Sequence, residues 1–597
     1  MMGTYENIKD YAVIGNGRSA ALISRKGSID WLCWPRFDSP SLFGALLDDQ
    51  KGGYWSIAPD CPYSVNRQYI ENSMVLKTIF HCETGSASLI DCMPIQGKEV
   101  DCIIPEQQII RIIECSKGFV PFQIMLKPAP SFGKASVKIS RNSYGIKYNW
   151  NGRSVLFRSE IDLNENGKGL FTLKANQHAS MTLSFVREGP AVIVPLGAFL
   201  KSIVDETIRE WNRWSQKCRY AGAYKSEVVR SALVLKSLIY SPSGAIVAAP
   251  TTSLPEKLQS DLNWDYRYCW LRDASLTVRA LYDIGYEQEA MAFASWLIHT
   301  TRLTRPELRV YYDVYGGLSG KEINIGWFKG YKNSRPVRVG NGARGQLQLD
   351  IYGEVIDAVG HIIESQKQTD HETESMILDF GIYICKNWDK PDEGIWEPRT
   401  GRFQHIHSKV TSYTGLNRLV QLQKRNLINK KNTEIFQKNL KMIRESVQKN
   451  GWNENESSYV QQCGSSVLDM NSLLLAYHNF EDPAGYRMLK TYEALKKKLY
   501  AGNGLFYRNE QSKVKKEGTF GICSFWAIEY LARGGGSIDD ATRQFSALLA
   551  QANDVGLYSE EIEPQTLEFL GNFPQAFTHI GLINAAISIQ ERILRGN

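Results

Sequence analysis

The chain has 597 residues, more than one hydrophobic core supports, because single cores stop growing near ~250–300 residues; at least two domains are expected. With 43% hydrophobic and 22% charged residues it is not a disordered chain, and a net charge of +7 spread among acids offers no dense basic face for a nucleic acid. There is no run of about 18 apolar residues to span a membrane, the start MMGTYENIKDYAVIGNG has no secretory pattern, and eleven cysteines without CxxC spacing fit reduced thiols in a cytoplasm.

Residues 1–200 read as strands. YAVIGNGRSAALIS sets Gly15, Gly17 and Ala20 at G-x-G-x-x-A spacing, but Gly27, Pro35 and Pro40 then break any crossover helix, so a glycine-rich hairpin is expected rather than a dinucleotide site. Further strands are expected around Val75–Phe80, Ser88–Ile90, Ile109–Ile113, Phe122–Leu126 and Met181–Phe185. Tyr144, Ile146, Tyr148 and Trp150 alternate with polar residues up to Asn151-Gly152, the pair that a type I′ hairpin turn demands. So many short strands without helical periods between them predict an antiparallel β-sandwich.

From about Leu200 the period becomes helical. Val228, Ala232, Leu235 and Ile239 form one stripe, and Leu347, Ile351, Val355, Val359 and Ile362 another. Similar segments lie at Leu276–Ile284, Met291–Ile298, Ile377–Cys385, Val410–Val420, Val467–Leu475, Phe525–Leu531 and Ile580–Ile587, and an α/α toroid arranges so many helices naturally. The expected division is a β-sandwich over 1–200, a helical linker over 201–245 and a helical toroid domain over 246–597.

Neither a Walker A sequence nor a G-x-S-x-G elbow is present. His405 and His407 stand at i, i+2, but no HExxH or Cys/His cluster accompanies them, and the pair reads as structural. Two acidic segments remain. In EGIWEPRTG, Glu397 sits between Trp396 and Pro398, where a partly dry environment raises a carboxyl pKa as a general acid requires; a solvated loop glutamate is the plainer alternative. In SEEIEP, Glu560, Glu561 and Glu563 form a second acidic loop. Inverting glycoside hydrolysis needs two carboxyls roughly 6.5–9.5 Å apart across a sugar, and loops opening on one end of a toroid can supply them. The stretch NWDYRYCWLRDAS, residues 263–275, mixes aromatics with Asp and Arg in a way that suits neither core nor solvated loop.

These segments, with TTSLPE, GYKNSRPVRVGN, LQLDIYGEVIDA, HSKV, EGTFGICSFW and GNFPQAFTHIGLINAA in the same order, resemble glycoside hydrolase family 15, which includes glucoamylases, glucodextranases and bacterial trehalases. The likeness covers nearly the whole chain, and the N-terminal part looks like the trehalase branch. The resemblance implies a super-sandwich packed on an (α/α)6 barrel and an inverting exo-acting α-glucosidase of glucoamylase type on soluble α-gluco-oligosaccharides, with trehalase as the alternative. An inverting phosphorylase or a non-catalytic sugar-binding relative is less favoured. It further implies Glu397 as general acid, Glu560 as general base, and Tyr266, Trp270, Arg272, Asp273, Arg335 and Trp396 as sugar-binding residues, without metal or organic cofactor. Pro398 departs from the second carboxylate of fungal relatives at that place, and no starch-binding module is appended. Asp273 is expected to cap a helix running to Gly285.

Overall fold

The computed structural model describes residues 5–95, 105–186, 192–318 and 320–596. β1 (Tyr11–Gly15) and β2 (Ala20–Ser24) form the expected hairpin, with Gly17 at φ 72° and so close to Ser241 that a Cβ would collide with its Oγ. The strands that follow are β3 (Ser28–Cys33), β4 (Ser41–Phe43), β5 (Tyr54–Pro59), β6 (Tyr63–Tyr69), β7 (Leu76–Cys82), β8 (Gly85–Cys92), β9 (Gln108–Lys127), β10 (Lys138–Asn142), β11 (Gly145–Trp150), β12 (Arg153–Ser159), β13 (Lys168–Lys174) and β14 (His178–Val186).

All of them pair antiparallel in one 14-stranded system. The runs Ile109–Ile113 and Phe122–Leu126, expected as separate strands, are the two halves of the 20-residue β9. Its first half pairs with β8 and β14, its second with β5 and β13, so one strand serves both layers of the sandwich. The β11–β12 turn holds Asn151 and Gly152 at φ 43° and 74°, both positive as a type I′ turn needs.

The helices are α1 (Ala198–Ser215), α2 (Lys225–Ser237), α3 (Leu271–Asp283), α4 (Glu287–Thr301), α5 (Asp350–Gln366), α6 (His371–Asn387), α7 (Ile406–Lys424), α8 (Thr433–Asn450), α9 (Leu474–Tyr477, entered through a 3-10 turn at Met470–Leu473), α10 (Tyr486–Leu499), α11 (Glu510–Lys515), α12 (Gly521–Tyr530), α13 (Ile538–Leu549) and α14 (Ala576–Leu594). Contacts run α3–α5–α7–α9 with its 3-10 turn–α12–α14 and back to α3, closing an inner ring. α2, α4, α6, α8, α10 and α13 pack outside it, which makes an (α/α)6 barrel. Inner helices bury most of their residues, and every residue of α12 is buried. Within the stretch expected as linker, α2 packs on α14 as part of this ring.

The sandwich braces the barrel directly. Trp31 Nε1 donates to Pro250 O at 2.8 Å, and Arg67 Nε donates to Asp554 Oδ2 at 3.0 Å. Among the described residues no helix is long and apolar enough to cross a membrane, and the ten described cysteines are free.

Candidate active site

A cavity of about 770 Å³ opens at one end of the ring. Its wall gathers the N-terminal ends of inner helices: Arg272 and Asp273 in the first turn of α3, His405 before α7, Phe520 before α12, and Gln575 and Phe577 at the start of α14. Helix N-termini carry partial positive charge, so this end of the barrel favours acidic groups by ~0.3–1 kcal/mol each. Tyr266, Trp396, Glu397 and Glu560 also line it.

Glu397 sits in the turn after Gly394, and its own φ of 55° is left-handed, a conformation that costs a non-glycine residue about 1–2 kcal/mol. A Cβ on Gly394 would stand 2.7 Å from the His405 ring, so that turn is packed tightly against α7. Glu397 Oε1 accepts from Trp270 Nε1 at 2.7 Å and from Arg272 Nη1 at 3.3 Å. Burial pushes its carboxyl above the usual range, against the opposing pull of Arg272. Arg272 pairs with Asp273 Oδ2 at 2.9 Å, donates to Ile395 O at 2.6 Å, and lies 5.0 Å over the Phe577 ring.

Glu560 reaches the cavity from a separate segment. It precedes the short strand Glu561–Ile562, which pairs with Thr519–Phe520 and Phe569–Leu570. Its Oε2 accepts from the Asn572 N–H at 3.2 Å, while Oε1, buried, has no protein partner. Glu561 lies outside the cavity lining and accepts from the Gly518 N–H at 2.9 Å, so of the adjacent glutamates Glu560 faces the cavity. Burial and then Glu256 push Glu560 well up, against the hydrogen bond from the Asn572 N–H and the charge of Arg508. Both carboxyls are shifted in the same direction.

Two aromatic rings link their surroundings. Tyr266, which lines the cavity with Glu560, packs edge-to-face on Trp270 with centroids 5.1 Å apart, and Trp270 donates to Glu397. Trp270 itself is fully buried, stacked on Tyr311 at 4.6 Å, and stands behind Glu397 instead of in the cavity lining. Trp396 lines the cavity and donates Nε1–H to Asp469 Oδ2 at 2.7 Å.

Arg335 does not join this group. It is exposed and outside the lining, because the segment turns Val337 and Arg338 inward instead. Arg338 then lies 4.6 Å over the Trp264 ring and donates to Asp261 O at 2.8 Å. Asp273 is also placed differently from expectation. Trp270 is the N-cap of α3 and Asp273 lies inside the first turn, whereas the far end follows the pattern expected of a glycine cap. Gly285 at φ 101° donates to Tyr282 O, and Tyr286 N donates to Leu281 O, a Schellman arrangement.

Within 263–275 the residues divide by face. Trp264 lines the cavity and donates to Glu256 Oε1 at 2.9 Å. Asp265 and Arg267 are fully buried and paired at 2.7 Å, and Arg267 reaches Ser39 O in the sandwich at 2.7 Å. A second wall went unnoticed in the sequence: Arg508 bridges Glu256 at 3.2 Å and Glu517 at 2.6 Å beneath Trp396 and Phe520. Glu256 ends the TTSLPE motif and Glu517 begins EGTFG, which was a usable signal; Arg508 in YRNE carried none.

Comparison with known proteins agrees with this architecture. Residues 3–162 match the family model "Trehalase-like, N-terminal". The chain is 33% identical to a trehalase of Thermoplasma volcanium, covering 99% of this chain and 95% of that one. It is also 33% identical to a trehalase of Mycolicibacterium smegmatis, over 98% and 91%. A bacterial glucoamylase solved with acarbose superposes with TM-score 0.71 at 12% identity, covering 99% of this chain and 95% of that one, and thereby shares the fold. The model for glycosyl hydrolases family 15 matches residues 222–587, the whole ring with its carboxylate-lined cavity, and the chain belongs to that family of glycosidases.

Proposed function

We propose that the protein hydrolyses trehalose with inversion, one glucose unit occupying the Arg272–Asp273 end of the cavity. The observation that supports trehalose over longer α-glucans is the near full-length similarity to trehalases, sandwich included. This differs from the glucoamylase-type activity expected first from the sequence. Glu397, whose burial favours the protonated form, donates its proton to the glycosidic oxygen as the C1–O bond breaks. Glu560 takes a proton from a water whose oxygen bonds to C1 from the opposite face, using the otherwise unpartnered Oε1. Arg272 and Asp273 hold each other charged while presenting donors and an acceptor to vicinal hydroxyls. Tyr266 and Trp396 offer apolar faces to the sugar ring, and Arg508, Glu256 and Glu517 provide polar groups for the leaving glucose.

Inversion at one anomeric carbon of trehalose releases one β-glucose and one α-glucose, with solvent oxygen only in the β-anomer. Purified protein is assayed on trehalose, maltose, isomaltose and maltotriose, and the trehalose reaction is followed by NMR in 18O-water. Trehalose is expected to have the highest kcat/KM and to put label only in early β-glucose. Preference for maltotriose would replace this reading with the glucoamylase one, and label in α-glucose would remove inversion.

A further inference from the structure

Outside the cavity lining, the inner helices carry a second cluster of ionisable side chains. Glu354 on α5, His407 on α7 and His478 after α9 each offer a ligand atom, and those atoms all lie within 4.8 Å of one another. All three are buried, His407 to 1% exposure, and neither of its ring nitrogens has a hydrogen-bond partner. His478 Nε2 is 4.0 Å from Glu354 Oε1, and its Nδ1 is also unpartnered. Asp350, one turn before Glu354, sets Oδ2 3.7 Å from His407 Nδ1, with neither oxygen in hydrogen-bonding geometry to any group.

The backbone holds this cluster in place. A Cβ on Gly415 would stand 3.0 Å from Gly353 Cα, and one on Gly353 would stand 2.0 Å from Thr411 O, so α5 and α7 touch through their glycines. That contact sets Glu354 opposite His407. The neighbouring charges are already matched elsewhere: Asp357 pairs with Arg279 at 2.5 Å and Arg418 at 2.9 Å, and Arg272 with Asp273 and Glu397. Among the described residues no Arg or Lys forms an ion pair with Asp350 or Glu354. Buried carboxylates are costly without a counter-charge.

We propose that Glu354, His407 and His478 bind one divalent first-row transition-metal ion of the zinc class, with Asp350 accepting from His407 Nδ1–H and so aiming Nε2 at the ion. Two imidazoles and one carboxylate form a donor set that suits zinc and its neighbours and not magnesium or calcium. The carboxylate behind a ligating histidine is the usual orienting partner. The ion clamps three adjacent inner helices beneath Arg272 and Glu397, both of which interact electrostatically with Asp350. In the sequence the pair His405 and His407 reads as structural for want of an HExxH or Cys/His cluster; in the structure the two part, His405 lining the cavity and His407 joining Glu354 and His478.

The test uses the full-length protein purified without a metal-affinity step. Elemental analysis after dialysis is expected to find one zinc-class ion per chain. Chelator-stripped protein titrated with cobalt(II) is expected to develop visible d–d absorption that zinc displaces, with a rise in melting temperature. Glu354→Gln and His478→Gln are each expected to weaken binding at least ~100-fold, and Asp350→Asn by ~10–100-fold. If the ligand variants fail to fold, the melting shift of stripped against loaded wild type and the Asp350→Asn affinity decide. Substoichiometric metal with no cobalt spectrum overturns the proposal, as does undiminished binding in the Glu354 and His478 variants.

Discussion

Replacing Trp270 with Phe removes one N–H from Glu397 and little else, because the ring stays wedged between Tyr311 and Tyr266. A hydrogen bond to a charged group contributes about 1.5–3 kcal/mol. The protonated acid still accepts part of that bond through its carbonyl oxygen. The difference between the two protonation states is thus nearer the lower figure, and at 1.36 kcal/mol per unit it corresponds to a shift of about 1 pKa unit. The bond favours the ionised carboxylate, so losing it raises the pKa. A general acid works only while protonated, and activity falls as pH rises through its pKa. The basic limb of the kcat/KM–pH profile on trehalose is therefore expected about one unit higher in Trp270→Phe, with the acidic limb moving less. The two limbs belong to the coupled carboxyl pair, so both must be fitted together. A basic limb that stays put or moves down, in a variant with native melting behaviour, would falsify the assignment of Glu397 as acid held by Trp270.

Glu397→Gln and Glu560→Gln are each expected to lower kcat by ~10²–10⁴-fold with the fold intact, as loss of acid or base predicts, and near-native turnover in either removes it from the mechanism. Gly571→Ala places a Cβ 2.5 Å from Glu560 Oε2 at a backbone φ of 70°; displacing the base should cost about 100-fold in kcat with a smaller change in KM, and unaltered steady-state kinetics would mean Glu560 tolerates movement. Arg267→Met strands Asp265 without its buried partner and severs the link to Ser39, which costs about 3–5 kcal/mol. Urea unfolding followed by tryptophan fluorescence should show a lower midpoint, and an unchanged midpoint would show that the clamp contributes nothing to stability.

Local chemistry was legible in the sequence wherever it depends on neighbours along the chain. Asn151-Gly152 announced its turn, Gly285 its helix end, and the stripes of α2 and α5 their buried faces. What needed three dimensions was less visible. The joining of two apolar runs into β9 depends on pairing with four other strands, and no window of residues carries that. Asp273 is a good capping residue, yet the chain enters α3 from the strand Cys269–Trp270 and so starts the helix earlier. Both carboxylates were marked by their motifs, but whether an aromatic or an arginine faces the cavity depends on which side of the backbone packs against neighbouring elements. Trp270 and Arg335 therefore fell away from the lining, and Arg508 and Trp264 entered it.

The division of faces within 263–267 has a practical consequence for altering this enzyme. Alternate positions do separate jobs: Asp265 and Arg267 are bolted to the scaffold, while Trp264 and Tyr266 look into the cavity. Random mutagenesis across the whole segment would mostly sample collapsed proteins. A library confined to the two cavity-facing positions would instead change the shape offered to the substrate while leaving the mounting between sandwich and ring intact.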